Sequence, residues 1–217
     1  FWEQSTDVIQ FYESEMDKLQ NGVNIGRYWI HPWLYWHINM FKTPIPQQNK
    51  TRKVTQPPLD DNFLYVIENY TEAERDSEGL VLFGARGVAK SSMIASLATF
   101  TSFMKTDAPF SINGNSDQDL KEISRLVKTH FTKVDAGFFI PAIVNDWEKE
   151  VVFGVKEDAQ TPFSHSYIKI TNSDTRSETS SEKGAGGTPI GYVYDEIGKD
   201  KFLKAFESAI PSFETIY

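Results

Sequence analysis

Gly79-Leu80-Val81-Leu82-Phe83-Gly84-Ala85-Arg86-Gly87-Val88-Ala89-Lys90-Ser91-Ser92 is the stretch on which the reading of this chain turns. Its first five residues form a short apolar run of the kind that a strand buried on both faces needs. Small residues follow. From Ser91 to Lys105, Met93, Ile94, Leu97 and Phe100 recur at helical spacing and predict a helix with those side chains inward. Strand, glycine loop and helix in that order make a cradle for an anion. Small residues let successive backbone N–H groups turn toward a phosphate, and the helix N-terminus aims partial positive charge at the same point. In such a loop Lys90 reaches the β- and γ-phosphates of ATP, the Ser91 hydroxyl ligates Mg2+, and Ser92 supports the water shell of the ion. Gly84, Ala85, Arg86, Gly87, Val88, Ala89, Lys90, Ser91 and Ser92 are therefore the expected nucleotide contacts.

One position departs from the usual pattern. Ala89 stands where a glycine normally precedes the lysine. If the backbone there needs a positive φ, the methyl group costs on the order of 1 kcal/mol; a right-handed backbone would avoid that cost.

A second element complements the loop about a hundred residues later. Ile190-Gly191-Tyr192-Val193-Tyr194 is an apolar strand that delivers Asp195-Glu196 at its C-terminal edge, where open α/β sheets bind ligands. ATP hydrolysis wants one carboxylate in the magnesium shell and another to orient or deprotonate the attacking water. Asp195 suits the first role and Glu196 the second. Phosphoryl transfer also needs a cation at the γ-phosphate: Arg86 lies within the loop. Arg176 and Lys183, in the polar stretch between Thr171 and Pro189, are candidates to act on a neighbouring subunit. The alternative for each is an ordinary solvated charge. His31, His37, His130 and His165 are scattered and show no metal-ligand spacing.

Outward from the loop, the chain divides at about residue 60. Residues 61–217 read as the ATPase core. Phe63 starts a helix running to about Arg75, Phe110-Ser111-Ile112 suggests a strand, and Asp117 to Phe131 an amphipathic helix. Glu150 to Gly154 and Tyr167 to Ile170 suggest further strands, with a last helix over Phe202 to Ile210. The alternation predicts an α/β fold of the P-loop NTPase type, with a mostly parallel sheet covered by helices on both faces. Residues 1–60 hold a helix from Val8 to Leu19 stopped by Asn21-Gly22, then an aromatic segment from Gly26 to Phe41 read as short strands or turns. A proline-bearing connector follows from Thr43 to Asp61. Trp29, Trp33, Tyr35, Trp36 and Phe41 in that segment suit core packing, with adenine stacking as the other reading.

The bulk properties bound these readings. The 217 residues are 40% hydrophobic, enough for one good-sized core with an attached segment. A net charge of −8 argues against non-specific coating of nucleic acid or anionic membrane. Two local basic groups stand out, Lys50, Arg52 and Lys53, and Lys121, Arg125 and Lys128 along one side of a helix; each also reads as ordinary solvated charge. There is no cysteine, hence no disulfide framework, and no apolar run long enough to span a bilayer. The opening Phe1-Trp2-Glu3-Gln4 has neither an initiator Met nor the order of a signal peptide and reads as the start of a fragment or processed chain.

Four stretches together resemble the N-terminal ATPase domain of the large terminase subunit, the DNA-packaging motor of tailed bacteriophages. They are the aromatic segment from Gly22-Val23-Asn24-Ile25-Gly26 through Leu34-Tyr35-Trp36-His37-Ile38-Asn39, the loop Gly84 to Ser91 with its internal Arg86, the turn Gly114-Asn115-Ser116, and Gly187-Thr188-Pro189 leading to Tyr194-Asp195-Glu196-Ile197-Gly198-Lys199. The resemblance implies a RecA-like core that assembles as a homo-oligomeric ring on the portal protein of a procapsid. It implies ATP-driven translocation of double-stranded DNA, a small terminase subunit as partner, no membrane, and the cytoplasm of an infected bacterial host as location. It also implies a coupling motif and a nuclease domain beyond the last residue, and weak ATPase activity for the fragment alone. A helicase-like ATPase, a nucleotide kinase, and a nucleotide-binding scaffold without turnover stay open beside it.

Overall fold

A computed structural model describes residues 7–47, 51–76, 78–80, 89–105, 109–114, 117–133, 143–147, 150–156, 162–172 and 191–195. The first helix, α1 (Val8–Asn21), starts where the Asp7 carboxylate accepts the Gln10 amide at 3.0 Å. It stops at Gly22, whose φ of 76° suits only glycine and whose N–H returns to the Lys18 carbonyl. A Cβ on Gly22 would lie 2.5 Å from the Ile30 carbonyl oxygen, so glycine is required twice over. The chain then turns back in a hairpin of β1 (Val23–Ile25) and β2 (Tyr28–Ile30). Gly26, at φ 61°, takes the first turn position.

The aromatic segment departs from expectation after that hairpin. Pro32–Asn39 is a helix, α2, not a set of strands. Pro32 sits in its first turn, where its missing N–H is harmless. The His31 Nδ1 accepts the Trp33 amide at 3.0 Å and caps it. Aromatic residues are mediocre helix formers, and burial overrides that preference here. The connector also hides structure: β3 (Thr43–Pro46) and β4 (Arg52–Thr55) pair antiparallel, Thr43 opposite Thr55. Gln47 N–H donates to the Thr51 carbonyl at 2.8 Å, which sets the alternation and leaves Pro44 and Pro46 on outward positions that need no donor. Pro57 and Pro58 precede α3 (Asp61–Asp76), opened by Asp60 accepting the Phe63 amide at 2.8 Å.

Among the described residues five strands form the main sheet: β5 (Pro109–Gly114), β6 (Ile143–Trp147), β7 (Glu150–Lys156), β8 (Pro162–Asn172) and β9 (Gly191–Asp195), in the order β6-β7-β8-β5-β9. β5 pairs parallel with both β8 and β9, while β6–β7 and β7–β8 are antiparallel. Among the described residues the sheet is thus mixed, a three-stranded parallel portion extended by two antiparallel strands, where the sequence predicted a mostly parallel one. The connections within β6-β7-β8 are too short for a crossover, so they can only form a meander. α4 (Lys90–Met104) and α5 (Asp117–Lys133) pack against each other and against β5 and β8, which puts both on one face of the sheet. The strand expected to end at Phe83 and the helix expected over Phe202–Ile210 fall essentially outside the described residues.

The core runs from this face into the aromatic segment. Trp33, Trp36, Phe41 and Phe63 are nearly fully buried, together with Leu97, Phe110, Ile112, Ile123 and Ile168. Core packing is the role the structure gives Trp33, Tyr35, Trp36 and Phe41, whereas Trp29 is 48% exposed on the hairpin. No described helix is long and apolar enough to cross a membrane.

Candidate nucleotide site

α4 begins at Lys90, and the residue before it sets the geometry. Ala89 has φ 56° and ψ 25°, a left-handed backbone, and is the one non-glycine residue with positive φ among the described residues. The right-handed escape open to the sequence is not taken. The methyl group therefore carries the strain, about 1–2 kcal/mol. No side chain caps this helix. Its first turn closes on Ala89 instead, whose carbonyl accepts from the Ser92 amide at 2.9 Å and the Met93 amide at 3.1 Å. Lys90, Ser91 and Ser92 are half-buried, while Met93 turns into the core.

Asp195 ends β9, opposite Gly114 at the end of β5. A side-chain bond secures this pairing: the Asn113 amide donates to the Tyr192 hydroxyl at 2.7 Å, and both residues are buried. At Gly114 a Cβ would meet Leu120 at 3.0 Å and the Asp195 carbonyl oxygen at 3.5 Å. Glycine thus lets the ends of β5 and β9 and the first turns of α5 draw close. Asn113 escaped the sequence reading. Its signal was a lone amide inside an apolar strand, which a buried position tolerates only with a partner.

α4 packs on β9 as well as on β5 and β8, so the elements bearing Lys90-Ser91 and Asp195 belong to one packed unit. Gly84, Ala85, Arg86, Gly87, Val88, Glu196, Arg176 and Lys183 lie outside the described residues. Ser91 and Asp195 carry side-chain oxygens and Lys90 an ammonium group.

α4 is held from behind by α2. The Trp33 indole N–H donates to Ser96 Oγ and the Trp36 indole N–H to Thr99 Oγ1, each at 3.2 Å. His37 Nδ1 meets the same Ser96 hydroxyl at 2.8 Å, and its ring stacks 3.7 Å from Phe63. Burial drives the His37 imidazole down to about 4, with the Asp60 charge opposing weakly. His130 is driven to about 3, by burial first and the Lys42 charge second. Its Nδ1 accepts the Lys42 amide at 3.1 Å, and its Nε2 has no hydrogen-bond partner among the surrounding rings of Trp36, Phe41 and Phe131. On the outer side His31 Nε2 lies 3.1 Å from Glu74 Oε2. With Nδ1 taken by the Trp33 amide, Nε2 is the donor, and this bond is the main cause holding the Glu74 carboxyl below its usual range.

No family model matches the sequence, and no curated protein matches it. Among solved structures, a mutant form of the large terminase ATPase domain of Thermus phage P74-26 superposes with a TM-score of 0.44 and 15% sequence identity. The alignment covers 58% of this chain and 51% of that one, so it spans about half the length of the phage domain. The α/β assignment here rests on the strand order and registers described above.

Proposed function

We propose that this chain is the ATPase motor domain of a phage-type large terminase, hydrolysing ATP to drive double-stranded DNA into a procapsid. The observation that carries the reading is a pairing. The glycine-bearing stretch Gly84 to Ala89 runs in sequence into Lys90-Ser91 at the start of α4, and an apolar strand parallel to β5 ends at Asp195, which Glu196 follows in sequence. In this reading Lys90 neutralises the β- and γ-phosphates, Ser91 and Asp195 hold Mg2+, and Glu196 orients the attacking water. Arg86, or Arg176 or Lys183 from a neighbouring subunit, supplies the cation that answers charge developing at the γ-phosphate. The ring on the portal, the small subunit and the host cytoplasm follow from the terminase resemblance alone.

Lys90→Ala is expected to lower Mg2+-dependent ATP turnover by about 100-fold or more and to weaken nucleotide binding. Glu196→Gln should lose turnover to a similar extent while binding nucleotide as the parent does. Equal turnover in parent and both variants, read by phosphate release, would remove the catalytic assignment. Equal nucleotide affinity in the two variants would contradict the division of roles.

A further inference from the structure

We infer that the β3–β4 hairpin and the outer side of α5 form one basic face that grips the phosphate backbone of duplex DNA. In the sequence the two basic groups are about seventy residues apart. The fold joins them: β3 packs on α5, and the Lys42 amide reaches His130 of that helix at 3.1 Å. The Glu122 carboxyl of α5 is held below its usual range first by its bond to Arg125, and the charge of Arg52 on β4 adds to that effect.

Charge is distributed unevenly in this chain. From Lys42 to Pro57 there are four basic residues, Lys42, Lys50, Arg52 and Lys53, and no acidic one, in a protein whose net charge is −8. α5 adds Lys121, Arg125, Lys128 and Lys133, against Asp117 and Asp119 in its first turn and Glu122. The two aspartates belong to the first turn, where a helix dipole favours anions, while Arg125, Lys128 and Lys133 follow in later turns. Arg125 pairs with Glu122, yet the pair is open to water, at 41% and 46% exposure, and is readily exchanged for a phosphate contact. Arg52, Lys53, Lys121 and Lys133 are exposed. Lys121 to Lys128 covers about 10 Å at 1.5 Å per residue, while duplex DNA presents one charge about every 1.7 Å of axis.

The composition of the face selects among polyanions. A membrane-binding surface needs large apolar side chains to enter the interface, and a single-strand groove needs aromatic rings for bases to stack on. Among the described residues, no exposed large hydrophobic residue lies on β3, β4 or α5. Cations without rings or greasy anchors suit the outside of a duplex, read by charge and not by sequence. That the duplex is a transported substrate rests on the function proposed above; the face itself stands on charge and packing.

The test is binding of a 20-base-pair duplex to the full chain, without nucleotide, by fluorescence anisotropy across a salt series. The parent should bind with an affinity that falls steeply between about 50 and 200 mM salt. Arg52→Glu/Lys53→Glu and Lys121→Glu/Lys128→Glu should each raise Kd about tenfold or more and reduce the slope of log K against log salt by about two. Arg27→Glu, on the β1–β2 hairpin, should change neither, and unchanged melting temperatures would show that all variants fold. The inference is overturned if both double variants bind like the parent, or if the parent binds no duplex. It is equally overturned if the parent prefers anionic vesicles, polyglutamate or single strands. ATP turnover measured on the same samples separates the two proposals. Duplex binding lost with turnover intact supports the face, and a chain that binds duplex through this face but never turns over ATP loses only the motor reading.

Discussion

Two helices in this protein begin in opposite ways. α2 has a side-chain cap and a first-turn proline: His31 caps the Trp33 amide, Pro32 fills the first turn, and His31 is itself oriented by Glu74. α4 has neither. It opens from a left-handed alanine, with no side-chain cap and no first-turn proline. The difference tracks what each end faces. The start of α2 is turned toward other protein groups, so its donors must be met internally. The start of α4 carries Lys90 and Ser91 and, in the proposed function, keeps its amides for a phosphate; strain and a missing cap are what a site reserved for a ligand looks like.

The first way to break the comparison is to remove the support that the two helices share. Trp36→Ala deletes a buried indole and its bond to Thr99, and should destabilise the chain by about 3–5 kcal/mol in urea unfolding. A loss under about 1 kcal/mol would mean that α2 does not brace α4. Acid should produce an effect of nearly the same size. In an unfolded chain His37 and His130 titrate near 6.5; folded, they stay neutral down to about 4 and about 3. Between those values the unfolded state binds more protons, so stability is full above about pH 6.5 and is lost as the pH falls toward 4 and then 3. His37 alone accounts for about 3 kcal/mol, at about 1.4 kcal/mol per unit. His37→Gln should flatten the stability profile between about pH 6.5 and 4, whereas an unchanged slope would assign the acid response elsewhere.

Two smaller effects, opposite in sign, sharpen the contrast between the helix starts. His31→Ala removes a cap and should cost about 1–2 kcal/mol. Ala89→Gly relieves the left-handed strain and should gain about 1 kcal/mol, a rise of a few degrees in melting temperature for a chain of this size. A fall on Ala89→Gly would show that the alanine is not strained. If the gain appears together with weaker nucleotide binding, the rigidity of the strained turn serves the site.

The elements legible in the sequence were those with strong periodicity. α1, α3, α4, α5 and the apolar strands β5, β7, β8 and β9 appear close to where their patterns put them, since each presents one apolar face or one apolar run. The aromatic helix α2 misled because Trp and Tyr look like strand formers, and only the packing of Trp33 and Trp36 on Ser96 and Thr99 decides otherwise. β3 was masked by its prolines, which fall on positions that donate nothing. The antiparallel half of the sheet could not be foreseen because register and direction are set by partners, not by local sequence. At the candidate site, the helix starting beside Lys90-Ser91 and the strand ending at Asp195 were legible from the sequence pattern. The handedness of Ala89 and the Asn113–Tyr192 bond were not, since both arise from contacts made after folding.

The indole bonds from α2 to α4 also make the protein its own optical instrument. Trp33 and Trp36 are buried within hydrogen-bonding distance of Ser96 and Thr99, two turns or so along from Lys90. A shift of α4 along its axis changes the polarity and the quenching that both chromophores experience. Emission from this pair, compared between parent, Trp33→Phe and Trp36→Phe, thus records the movement of the proposed site's helix without any label.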